Sequence, residues 1–62
     1  MIVNKTEYYV EVETEDFIFL VQTDGTQISI ERNDGESMYI DLNKDELKSI
    51  FESIKEVYEN LK

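Results

Sequence analysis

Residues 17–43 read FIFLVQTDGTQISIERNDGESMYIDLN, and their reading decides the fold. Asp24-Gly25 and Asn33-Asp34-Gly35 cut this stretch into three short apolar or alternating runs, residues 17–22, 27–31 and 37–42. Asp-Gly between such runs is a strong hairpin signal. A one-residue slip in pairing turns every side chain over, so the apolar pattern sets the register. A three-residue loop Asn33-Asp34-Gly35 with Gly35 left-handed places Ile30 opposite Met38 and Ile28 opposite Ile40. A two-residue Asp24-Gly25 turn places Val21 opposite Ile28 and Phe19 opposite Ile30. A three-residue loop Thr23-Asp24-Gly25 is the alternative, and it would turn Ile18 and Leu20 inward.

Working outward toward the N-terminus, residues 6–13 (TEYYVEVE) alternate with Tyr8, Val10 and Val12 on one face. A loop around Thr14-Glu15 pairs Val12 with Phe17 and Val10 with Phe19. Toward the C-terminus, Asn43 and Glu46 have the spacing of a capping box, with Leu42 and Leu47 placed as a hydrophobic staple. Leu47, Ile50, Phe51, Ile54, Tyr58 and Leu61 then recur at helical spacing, with Val57 at the edge of the stripe. The fold expected is α+β and a single domain, 1–62. A four-stranded antiparallel β-meander (strands about 6–13, 17–22, 27–31 and 37–42) carries one C-terminal α-helix, about 44–61, packed on one face. The core is Tyr8, Val10, Val12, Phe17, Phe19, Val21, Ile28, Ile30, Met38, Ile40 and Leu42 under the helix. No internal repeat is read.

Sixty-two residues make a domain of thin stability margin. Cysteine and histidine are both absent, which removes disulfides, thiolate metal sites and the commonest metal ligand and general base. Of the supports that small scaffolds use, self-association remains. Fifteen acidic against 6 basic residues give a net charge of −9. That charge opposes direct binding to nucleic acid or to anionic membrane, and it favours a basic partner. The longest apolar run is Phe17 to Val21, so neither a membrane span nor a signal peptide is read, and a cytoplasmic site is expected.

The face of the sheet turned away from the helix is the candidate contact surface. One expected row is Tyr9, Leu20, Ser29, Tyr39, and the next is Glu11, Ile18, Glu31, Ser37. Tyr9, Ile18, Leu20 and Tyr39 form a band, and Glu7, Glu11, Glu13, Glu31 and Asp41 border it. Aromatic and aliphatic groups inside a polar rim have the composition of an interface.

Catalysis is not expected, because the chain lacks His, Cys and a phosphate-binding loop and offers little room for a cleft. Asp41, Asn43, Asp45 and Glu52 follow the ligand spacing of a calcium loop, but Glu46 stands where its sharp-turning glycine belongs. No metal or cofactor is therefore expected. The strand–strand–strand–strand–helix order is similar to that of single-stranded-DNA-binding transcriptional coactivators. Those use basic and aromatic residues on the sheet, where this chain has Glu7, Glu11, Glu13, Glu31 and Asp41, so the likeness implies no DNA binding. In size, charge and compactness the chain resembles phage-encoded anti-restriction, anti-CRISPR and polymerase-blocking proteins. The expected function is a non-enzymatic acidic protein-binding module, an inhibitor that imitates DNA and occupies a basic nucleic-acid-binding surface of a partner protein. The alternative is a small homodimeric structural or regulatory module that uses the outer face of its sheet.

Overall fold

A computed structural model describes residues 1–61. Five antiparallel strands form one sheet in sequential order: β1 (Ile2–Lys5), β2 (Tyr9–Glu13), β3 (Phe17–Gln22), β4 (Gln27–Arg32) and β5 (Ser37–Asp41). Helix α1 (Lys44–Asn60) follows directly. The chain is thus an α+β meander with one strand more than expected, because Ile2–Lys5 pairs along β2.

Two kinds of turn join the strands. The glycine turns keep the expected registers, with Val21 opposite Ile28 and Ile30 opposite Met38. Both Gly25 (φ 75°) and Gly35 (φ 93°) are left-handed, a conformation that costs glycine least. Asn33-Asp34-Gly35 is the three-residue loop anticipated, closed by the Gly35 N–H to the Arg32 carbonyl (3.0 Å). The other turn keeps the expected pairing in a longer form. The Gly25 N–H donates to the Gln22 carbonyl (2.9 Å), leaving residues 23–26 outside the strands.

The remaining two turns contain no glycine. The Thr6 N–H donates to the Tyr9 carbonyl (2.9 Å), and the Thr6 hydroxyl oxygen accepts from the N–H groups of Tyr8 (3.2 Å) and Tyr9 (3.0 Å). Thr14 repeats the arrangement with the Phe17 carbonyl (2.9 Å) and the N–H groups of Asp16 (3.2 Å) and Phe17 (3.1 Å). A threonine hydroxyl that satisfies the backbone two and three residues on replaces the turn glycine. The motif Thr-Glu-x-aromatic therefore occurs twice, at 6–9 and 14–17, where no repeat had been expected.

These turns correct the N-terminal half of the sequence reading. Tyr8 sits in the first turn rather than in the core, and its side chain is 73% exposed. The tight Thr14–Phe17 turn pairs Val12 with Phe19 and Val10 with Val21, two residues away from the expected partners. A shift of two preserves the face of every side chain. The inner face consequently carries Val3, Val10, Val12, Phe19, Val21, Ile28, Ile30, Met38 and Ile40.

The helix starts as its sequence dictates. Asn43 Oδ1 accepts from the Glu46 N–H (2.9 Å), and Glu46 Oε1 accepts from the Asn43 N–H (3.0 Å). Asp45 and Glu46 stand in the first turn, where the helix dipole favours negative charge. Asn43 is thereby committed to holding the helix. The Leu42 N–H donates to the Thr26 carbonyl (2.8 Å), which brings the helix start beside the Gly25 turn. A Cβ on Gly25 would stand 3.0 Å from Leu47 Cδ2, so Leu47 lies directly on this glycine.

Beyond its first turns the helix leaves the sheet. Leu47 and Ile50 are half-buried, whereas Phe51, Ile54, Val57, Tyr58 and Leu61 are all 61% exposed or more. The expectation that the helix covers the inner face is met only at its N-terminal end. Ile28 alone among the described residues is buried, at 5% exposure, and the expected core residues Phe17, Met38 and Ile40 are exposed.

Candidate partner-binding face

Strand pairing defines the outer face directly. One row reads Asn4, Glu11, Leu20, Ser29, Tyr39, and the next reads Ile2, Glu13, Ile18, Glu31, Ser37. A third row consists of Tyr9 opposite Gln22 and Gln27 opposite Asp41. Leu20 and Tyr39 share a row as expected, and so do Ile18 and Glu31. Tyr9 stands one pair away from Leu20, because the Thr14–Phe17 turn displaces β2 by two residues. It still borders a shallow depression with Leu20, Gln22 and Thr23. Glu7 lies in the first turn rather than along the rows.

The carboxylates are distributed by strand parity. Glu11, Glu13, Glu31 and Asp41 all point outward, and no Lys or Arg of any strand shares that side. Lys5 and Arg32 take inward-parity positions, opposite Val10 and Phe17. Arg32 is further drawn to the β4–β5 loop by Asp34 (3.3 Å) and Glu36 (3.7 Å). The strand charges on the outer face are therefore all negative. Ile18 lies between Glu13 and Glu31, and Glu11 flanks Leu20.

Hydrogen bonds order the rim of this face. Asn4 Nδ2 donates to Glu11 Oε1 (3.1 Å). Gln22 Nε2 donates to Gln27 Oε1 (3.3 Å), and Gln27 Nε2 donates to Asp41 Oδ1 (3.1 Å). Tyr9, Ile18, Leu20, Glu11 and Glu13 are half-buried, while Tyr39 stands out at 67% exposure. Ile2, 54% exposed, extends the apolar band past Ile18. That residue escaped the sequence reading along with its whole strand; the alternation of Ile2 and Asn4 against Val3 and Lys5 was the available signal.

At the end of the sheet where the helix starts, Asp24 accepts from the Thr26 hydroxyl (2.7 Å) and the Thr26 N–H (3.0 Å). These bonds, the side-chain one foremost, lower the pKa of its carboxyl below the ordinary aspartate value. Among the described residues no cluster of acidic side chains has the geometry to hold a metal ion. No described helix is long and apolar enough to cross a membrane. No family model, curated protein or solved structure matches the chain.

Proposed function

We propose that this protein is a non-enzymatic binding module whose outer sheet face docks on a basic, nucleic-acid-binding surface of another protein. One observation carries the reading: every carboxylate of the strands projects from the same face as Leu20, Ile18 and Tyr39, and every strand cation projects from the other. A field of one sign steers a positively charged partner onto the face and repels nucleic acid itself. The apolar band supplies the contact that persists once the partner has arrived. Occupying a surface that otherwise holds phosphates makes the module an inhibitor, a DNA mimic in charge, and it acts in the cytoplasm.

Affinity capture at low salt, read by mass spectrometry, tests this. Captured proteins should be nucleic-acid-binding ones, released both by rising salt and by added polynucleotide. Capture that withstands both treatments, or that is undiminished by Leu20→Lys, would refute the reading.

A further inference from the structure

We propose that the inner face of this protein is completed by a second copy of the chain, helix α1 of each copy closing over the sheet of the other. The open space is a wedge of about 700 Å³ between the sheet residues Phe19, Val21 and Ile28 and the helix residues Leu47, Ile50 and Ile54. Its sheet wall is apolar, its helix wall is apolar with Lys44, Asp45 and Lys48 at the edge, and the helix's own side chains leave it unfilled. Phe51 also borders the wedge, and the remainder of the helix stripe, Val57, Tyr58 and Leu61, faces solvent.

The size of the uncovered surface identifies the occupant. A folded monomer of 7.4 kDa is expected to expose about 4,200 Å². This chain exposes 5412 Å². The excess is roughly 1,200 Å² per chain, so two copies would together hide about 2,400 Å², within the range of obligate homodimers. The radius of gyration agrees: 12.5 Å against roughly 10.6 Å for a compact chain of this length.

Charge selects the face through which two copies meet. With a net charge of −9, contact through the outer faces would set Glu11, Glu13, Glu31 and Asp41 of each copy against their counterparts. Like charges brought together at an interface are repulsive. The strands present no carboxylate on the inner face, so apolar contact forms there without that opposition. Lacking disulfides, the chain has no covalent staple to replace such contact.

Sedimentation equilibrium of the untagged chain should give twice 7.4 kDa. Its melting temperature should rise with protein concentration, because folding and association are linked. Ile54 is 61% exposed in the single chain, so Ile54→Lys would leave an isolated monomer undisturbed. In the dimer it places a charge at the contact and should weaken association by roughly thirty-fold or more. A wild type of single-chain mass at all concentrations, with a concentration-independent melting temperature, overturns the proposal. So does a dimer whose affinity Ile54→Lys leaves unchanged. Should Ile54→Lys fail to fold, the concentration dependence of the wild-type melting temperature decides between a shared and a self-contained core.

Discussion

Phe19 and Leu20 are neighbours in one strand, yet they belong to surfaces of opposite character. Phe19 lies in a row with Val3, Val12, Ile30 and Met38, all apolar. Leu20 lies in a row with Asn4, Glu11, Ser29 and Tyr39, its immediate neighbours Glu11 and Ser29 both polar. The period of two along a strand lets adjacent residues serve different contacts. A five-stranded sheet of this size thereby has one face whose strand charges are all acidic and one that is apolar apart from Lys5 and Arg32, with only one helix available to cover either.

The largest effect expected from breaking this division is that of Phe19→Lys. Burying a lysine in the inner row forfeits the ring's packing and adds a desolvated charge, at a cost of about 3 kcal/mol or more. Circular dichroism should register an unfolded chain, and a native spectrum would mean the two faces are exchanged. Next come the two glycines. Alanine at either left-handed position should cost about 1 kcal/mol. Gly25→Ala should cost more than Gly35→Ala, because Leu47 lies on Gly25 while nothing stands within 4 Å of the Cβ position at Gly35. Equal losses in denaturant midpoint would show that the helix start is not seated on the inner-face turn. Asn43→Ala should cost about 1 kcal/mol through loss of the cap. An unchanged midpoint would remove the capping box from the account.

The smallest effect concerns acid. The Asp24 carboxyl has a lowered pKa in the folded chain, so its contribution to stability is present above the unfolded value, near pH 3.8. It is lost as pH falls through the lower folded value. Asp24→Asn should therefore narrow its stability gap from the wild type in thermal melts taken below about pH 4. A gap that widens there would contradict the hydrogen bonds assigned to Thr26.

The elements that the sequence made legible are those whose signal is local. Asp24-Gly25 and Asn33-Asp34-Gly35 mark turns because glycine alone takes a positive φ freely, and both registers follow from them. Asn43 and Glu46 mark the helix start because a capping box is complete within four residues. The turns at Thr6 and Thr14 are different, since a threonine hydroxyl does there what glycine does elsewhere and leaves no comparable mark. Strand β1 was missed behind the first such turn, and β2 was displaced by two residues behind the second. Because that displacement is even, Glu11, Glu13, Ile18 and Leu20 kept their face, and the acidic surface was readable even where its rows were not. The helix stripe from Leu47 to Leu61 was equally plain in the sequence. Periodicity identifies an apolar face but not what covers it, so assigning that face to the chain's own sheet overreached.

The most direct test of the separation between faces is one variant with two readouts. Leu20→Lys alters only the outer face. The account predicts that it folds, sediments with the same mass as the wild type and no longer captures basic partners. Loss of the dimer with capture retained would place self-association on the outer face and contradict the account.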